Sequence, residues 1–221
     1  MIDATFAPLS KNKLPQNPLK HPSLSLFIGP TRSGKTTAML NFLGALAEEV
    51  NFDRILFVSA NKKDDLLDLL DDDVEVTSNP LRMEEWMLNV MKDTNPKLQN
   101  KLLILDDLQG SKKFDLMSPR SEFSELVINH RHFNTWIVGA CQTFRKCFGP
   151  DVRKQASMYF LFPPRGATEM EAIEKEIDAP LQQIRTAMKV VKGREGKNFL
   201  YVNMFDRHPK FYVNFDELID F

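Results

Sequence analysis

Gly29-Pro-Thr-Arg-Ser-Gly-Lys-Thr36 fits the pattern G-x-x-x-x-G-K-[ST] at every defined position. The chemistry of such a stretch is anion capture. Gly29 and Gly34 let the backbone wrap a phosphate without Cβ collisions. The amides of Ser33, Gly34, Lys35 and Thr36 are expected to point at a β-phosphate, with the dipole of a following helix behind them. Lys35 is placed to bridge β- and γ-phosphates, Thr36 to offer its hydroxyl to Mg²⁺, and Thr37 to reach the α-phosphate. Pro30, Thr31 and Arg32 complete the loop. The cofactors implied are ATP and Mg²⁺.

Two further groups could act on a nucleotide held there. Leu102-Leu-Ile-Leu-Asp-Asp107 is an apolar run that ends in two carboxylates. Its burial would bring Asp106 out beside the phosphate loop, where it can hold Mg²⁺, often through a water. Asp107 would polarise the attacking water. Glu is commoner in that second place, and Asp is one methylene shorter. Gln142 directly follows another apolar run and can orient the water. Arg131, Arg145 and Arg153 are expected to flank the nucleotide end of the sheet, and one of them could serve a neighbouring subunit as an arginine finger. Taken singly, each is an ordinary surface or capping arginine. His130 and His132 come with no metal-ligand set and read as helix-end residues. Lys112 and Lys113, with Arg120 beyond, lie in a polar loop after the carboxylates. The loop is either simply solvated or a contact to nucleic acid.

The elements that must position these groups are plain. Leu24–Ile28 reads as a strand that runs into the phosphate loop, and Thr36–Glu49 as a helix. Ile55–Val58, Leu102–Leu105, Trp136–Cys141 and Met158–Phe162 are further strands. Helices are expected at Asp64–Leu70, Pro80–Met91, from Arg120 to about His130, at Thr168–Ile177 and at Leu181–Val191. Val74–Thr77 reads as a short extra strand. The apolar runs are continuous rather than alternating, the mark of strands buried on both faces. The fold class is therefore α/β, a three-layer sandwich around a mostly parallel sheet. Phe199–Asn203 and Phe211–Phe215 close the chain as a β-hairpin. In sequence, the strand at Ile55–Val58 separates the phosphate loop from the acidic strand, the pattern of additional-strand ATPases rather than of small nucleotide kinases. Residues 1–22, rich in Pro, Lys and Asn, read as an extended arm, and residues 23–221 as one ATPase domain.

Composition sets outer bounds. A chain of 221 residues with 43% apolar and 27% charged residues can bury one sizeable core. A net charge of −1 provides no global field for nucleic acid, so any grip on DNA must be local. The 17 Phe against 3 Tyr and 2 Trp point to a Phe-rich core. The two cysteines, Cys141 and Cys147, permit at most one bridge, and reduced thiols are the simplest reading. The sequence shows no signal-peptide core and no run of membrane length, which points to the cytosol.

Taken together, these motifs resemble the genome-packaging ATPases of poxviruses, giant viruses, virophages and related viruses, within the FtsK–HerA superfamily of DNA pumps. The residues that carry the resemblance are Gly29–Thr36, Leu102–Asp107, Asn129-His-Arg-His132 and Gly139-Ala-Cys-Gln142. Val152-Arg153, leading into Ser157–Phe162, and the two closing aromatic strands add to it. The likeness spans most of residues 24–216. It implies a homo-oligomeric ring, pentameric or hexameric, at a portal or vertex of an icosahedral capsid. It implies ATP-driven pumping of double-stranded DNA in the host cytoplasm or a viral factory, or in association with the virion. With no appended DNA-binding domain in these residues, the grip on DNA would fall to loops such as the one with Lys112 and Lys113. The rival readings are a cellular HerA-like translocase, a nucleotide or small-molecule kinase, and an ATP-binding assembly factor without turnover.

Overall fold

The computed structural model describes residues 19–60, 74–109, 113–146, 148–177, 179–206, 208–215 and 217–221. The helix expected at Asp64–Leu70, and all but the last four residues of the amino-terminal arm, lie outside them.

Nine strands form one sheet. They are β1 (Leu24–Ile28), β2 (Arg54–Ser59), β3 (Glu75–Thr77), β4 (Lys101–Asp106), β5 (Thr135–Cys141), β6 (Met158–Leu161), β7 (Leu200–Asn203), β8 (Lys210–Val213) and β9 (Glu217–Leu218). Their order is β3-β2-β4-β5-β1-β6-β7-β8-β9. The first six in that order run parallel. β7, β8 and β9 continue the sheet antiparallel. The expected hairpin is thus β7–β8, and the two-residue β9 extends it, too short to show in the sequence pattern. Every residue of β1, β4 and β5 is buried, as their unbroken apolar runs require.

The pleat sorts those residues to two sides. Leu24, Leu26 and Ile28 of β1, Leu103 and Leu105 of β4, and Tyr159 and Leu161 of β6 face one core. That core is closed by α2 (Pro80–Met91), α3 (Glu122–Ile128), α5 (Ala167–Glu176) and α6 (Leu181–Lys192). Phe27, Leu102, Ile104, Trp136, Val138 and Phe160 face the other, which α1 (Lys35–Glu49) covers with Ala38, Met39, Phe42 and Leu46. The short α4 (Pro150–Arg153) links β5 to β6. The result is the expected three-layer sandwich. Leu19 packs on the α1 side, and its carbonyl accepts a hydrogen bond from Trp136 Nε1 at 3.1 Å. Cys141, buried at the end of β5, is disulfide-bonded, a departure from the reduced thiols expected of so sparse a cysteine content.

The abundant phenylalanine has a place in this architecture. Phe27, Phe160, Tyr201 and Tyr212 are direct register partners on β1, β6, β7 and β8. Their rings stack in sequence, with centroids 4.1, 4.9 and 5.2 Å apart and interplanar angles of 12°, 14° and 23°. Phe42 of α1, Phe199 and Phe215 tilt or stand edge-on against Phe160 at 5.3–5.9 Å. Aromatic cross-strand pairs stabilise a sheet beyond their area alone. Here the ladder fastens the antiparallel end to the parallel block. Phe160 is fully buried at its centre, so Phe160→Ala should cost about 3–5 kcal/mol, within the range for truncating a buried aromatic. Denaturant unfolding measures it; a loss below about 1 kcal/mol would mean the ladder can collapse around the gap.

Candidate nucleotide site

The site is built where β1 ends. Gly29 N–H donates to the Cys141 carbonyl at 3.0 Å, and on the other side Phe162 N–H donates to the Ile28 carbonyl at 2.8 Å. The first residue of the loop is therefore held between the ends of β5 and β6. A Cβ on Gly29 would collide with the Cβ of Phe162, so glycine is required by space. The loop then turns through Ser33 N–H to the Pro30 carbonyl, 3.2 Å. Arg32 and Gly34 both adopt left-handed backbone, with φ of 65° and 93°. Gly34 pays no Cβ penalty there, whereas Arg32 does, a strain typical of ligand-binding loops.

Gly34 is the N-cap of α1 and has no side chain to cap it. The first bond of that turn is Ala38 N–H to the Gly34 carbonyl, 3.0 Å. The helix's leading N–H groups are thus left to an outside acceptor. No acidic residue occupies the first turn to compete for them. Lys35 is only 7% exposed, yet it makes no ion pair or side-chain hydrogen bond with the described residues. Ser33 Oγ is buried with no partner. A buried hydroxyl without a partner is costly on its own and, beside the Lys35 ammonium, fits a bound polyanion.

Asp106 ends β4. It is 4% exposed and lies in register between Ser59 of β2 and Ala140 of β5. Thr36, half-buried in the first turn of α1, is the other expected metal partner. One carboxylate and one hydroxyl are a thin donor set. That suits Mg²⁺, which keeps several waters and is completed by substrate phosphates. Among the described residues no cluster of three His, Cys, Asp or Glu could hold a metal by itself.

Asp107 has left the strand. Its φ is 49°, a conformation that Asp tolerates better than most residues. Its N–H still donates to the Ala140 carbonyl at 3.2 Å, which keeps it beside β5. Oδ2 accepts a hydrogen bond from Gln142 Nε2 at 2.9 Å, while Oδ1 is buried without a partner. The structure therefore brings together Asp107 and Gln142, two residues singled out separately in the sequence. It does so because β5 lies between β1 and β4. The additional strand between the phosphate loop and the acidic strand is thus β5, whereas β2, which separates them in sequence, lies on the far side of β4.

The three arginines do not share one location. Arg145 is exposed in the loop after β5, at the nucleotide end, as expected. Arg131 is exposed but precedes the first residue of β5, so it lies at the opposite end of the sheet. The expectation that it flanks the nucleotide end is corrected by the direction of the parallel strands. Arg153 is 5% exposed, with Nε and Nη2 on the two oxygens of Glu176 at 2.6 and 2.8 Å. Its Nη1 donates to the Phe148 carbonyl, and its guanidinium lies 5.3 Å from the Phe144 ring. Its donors are committed inside its own subunit, so it is not poised as a finger. His130, past the end of α3, is buried; its Nδ1 pairs with the Val127 carbonyl at 2.6 Å and burial lowers its pKa. Lys113 is exposed, and Lys112 lies outside the described residues.

Sequence reasoning missed Gln109, Thr143, Arg165 and Glu169. Gln109 bonds to Gln142 and Thr143 across the gap between the β4 and β5 loops. Arg165 follows β6 and donates to the Thr31 carbonyl at 3.4 Å, and Glu169 accepts from Phe144 N–H. A cavity of ≈ 240 Å³ beside the phosphate loop is lined by Thr31, Gln142, Thr143, Arg165 and Glu169 among others. The available signal for Arg165 was its place just beyond the carboxyl end of a strand adjacent to β1, where open α/β sheets bind ligands.

The arginine geometry makes a direct prediction. Arg153→Ala leaves Glu176 and the Phe148 carbonyl without their buried cation, and should destabilise the fold by about 3–5 kcal/mol. Arg145→Ala should change stability by no more than about 0.5 kcal/mol. Parallel denaturation curves separate the two; equal midpoints would refute the division between a buried and a free arginine.

No family model matches the sequence, and no curated protein is similar to it. Solved structures do match. The DNA-packaging ATPase B204 from Sulfolobus turreted icosahedral virus has a TM-score of 0.63 and 18% identity, over 87% of this chain and 97% of that one. The genome-packaging NTPase B204 from Sulfolobus turreted icosahedral virus 2, in complex with ATP-γ-S, has a TM-score of 0.61 and 18% identity, over 90% and 98%. The pCW3 conjugation coupling protein TcpA, also with ATP-γ-S, has a TM-score of 0.51 and 14% identity, over 86% of this chain and 60% of that one. At such identities the likeness is one of fold, the P-loop NTPase fold of B204, matched over nearly the whole of that chain.

Proposed function

We propose that this chain is an ATPase that drives double-stranded DNA into a viral capsid. The observation that carries the ATPase reading is the meeting of three groups at one end of the sheet. These are the phosphate loop after β1, the Asp107–Gln142 pair after β4 and β5, and buried Lys35 without an anion partner. The packaging reading is supported by the fold shared with B204, whose chain has nearly the same extent. Residues 23–221 then form one ATPase domain.

In this reading the leading amides of α1 and Lys35 hold the β- and γ-phosphates. Thr36 and Asp106 would hold magnesium, which would neutralise phosphate charge. The Asp107 carboxylate is the acceptor for a proton of the attacking water. Gln142 donates to its Oδ2 and so restrains the rotation of that carboxylate. The water oxygen bonds to the γ-phosphorus, the bond to the β-bridging oxygen breaks, and ADP and phosphate leave.

Subunits assemble as a pentameric or hexameric ring on a portal or vertex protein. Arg145 is the finger candidate that remains at the nucleotide end with an exposed side chain. DNA contacts fall to the loop with Lys113 and Arg120, and to Lys112. The work takes place in the host cytoplasm, in a viral factory or at the virion. Among the described residues no helix is long and apolar enough to cross a membrane. The likeness to TcpA leaves a second reading, a DNA translocase outside packaging. The position of β5 between β1 and β4 disfavours a nucleotide kinase.

The test is ATP turnover with and without double-stranded DNA, across protein concentration. Lys35→Ala should abolish turnover and weaken ATP binding. Asp107→Asn should keep ATP binding and slow hydrolysis by roughly 10², the scale of losing a positioned base. An arginine finger is worth about 10³–10⁵ in turnover, so specific activity should rise as subunits assemble. Mixing Lys35→Ala with Arg145→Ala should restore part of it. Wild-type turnover in Lys35→Ala would end the phosphate-loop reading; turnover indifferent to DNA and to dilution would end the motor reading.

A further inference from the structure

Beside the Asp107–Gln142 pair, the side chain of Gln109 joins the loop after β4 to the loop after β5. Its Oε1 accepts hydrogen bonds from two successive backbone N–H groups, Gln142 at 2.9 Å and Thr143 at 3.0 Å. Its Nε2 donates to Thr143 Oγ1 at 2.8 Å. Gln142 Nε2 in turn donates to Asp107 Oδ2 at 2.9 Å, and Asp107 N–H donates to the Ala140 carbonyl at 3.2 Å. These bonds close a circuit. Asp107 is tied to β5 through its backbone, to Gln142 through its carboxylate, and back to itself through Gln109, two residues along the chain.

We propose that Gln109 is a positioning residue for ATP hydrolysis, setting the peptide from which Gln142 departs and so the orientation of the Asp107 carboxylate. The proposal rests on the ATPase reading above. The donor pattern fixes the orientation of the Gln109 amide, because the two N–H groups require its oxygen and the hydroxyl is left for its nitrogen. An acceptor shared by two consecutive N–H groups restrains the plane of the peptide between them. That peptide carries the Gln142 Cα at one end, so its tilt decides whether Nε2 reaches Oδ2. Without Gln109 both N–H groups turn to water, and the reach of Gln142 is no longer defined. A displacement of about 1 Å at a reacting group can cost on the order of 10² in rate.

Holding the two loops together is not the task that singles out Gln109. They are joined elsewhere, by Gly149 N–H to the Leu116 carbonyl at 3.0 Å. Gln109 does not itself line the cavity beside the phosphate loop, whereas Gln142 and Thr143, the two residues it holds, both do.

The experiment is a double-mutant cycle on the full chain, with ATP turnover and ATP-γ-S affinity measured for wild type, Gln109→Ala, Gln142→Ala and the double variant. Gln109→Ala should lower kcat by about 10- to 100-fold, with the ATP-γ-S Kd within about twofold of wild type, as expected when binding contacts are kept. The double variant should be no slower than Gln142→Ala alone, since Gln109 would have nothing left to position. If Gln109→Ala does not fold, Gln109→Leu fills the same space without the hydrogen bonds and runs the same cycle. A wild-type kcat in either variant, or losses that multiply in the double variant, overturns the proposal. Absence of turnover in the wild type overturns the ATPase reading and the proposal with it, which distinguishes the two failures.

Discussion

The backbone bonds that hold Gly29 are the constraint on which the site depends. One joins it to the Cys141 carbonyl, and the next residue back is joined to Phe162. They make the phosphate loop an extension of three adjacent parallel strands rather than a free connection. Because β5 sits directly beside β1, the residue that ends β5 is delivered to the loop's flank. Because β4 sits beside β5, Asp107 is delivered to Gln142. The geometry of the candidate site is thus a consequence of strand order, with the strands that need burial on both faces at the centre of the sheet.

Much of this was legible in the sequence. The phosphate loop declared itself through its glycines and its flanking strand and helix. The buried strands declared themselves through unbroken apolar runs, and Asp106, Asp107 and Gln142 through their positions at the ends of those runs. What stayed hidden depended on contacts between distant segments. Gln109 and Gln142 are 33 residues apart, and nothing local to Gln109 distinguishes it from any polar residue after a strand. β9 was too short to produce a pattern.

The arginines show the same limit from the other side. Residue type gave three equal candidates, but a finger needs exposure and the correct end of the sheet. Arg131 precedes its strand, and the direction of a parallel strand puts it away from the nucleotide. Arg153 fails on burial: its guanidinium meets Glu176 edge to edge, and Tyr159 donates its hydroxyl to the Arg153 carbonyl at 2.6 Å. Burial pushes the Tyr159 pKa upward, so the hydroxyl stays protonated and able to donate. Such a cluster specifies how α4, β6 and α5 pack; it does not offer a charge to another molecule.

The stacked rings of Phe27, Phe160, Tyr201 and Tyr212 have a mechanical consequence. Antiparallel strands at the rim of a sheet are ordinarily where a protein frays, since their amides open at low free-energy cost. Here the first rung belongs to β1, the strand that ends in the phosphate loop, and the last belongs to β8 near the chain's end. Peeling the rim away means unstacking rings that also form the floor under α1. The rim and the strand that carries the phosphate loop therefore share one cooperative unit, and a load applied at the antiparallel edge is borne by the same packed layer that carries the candidate site.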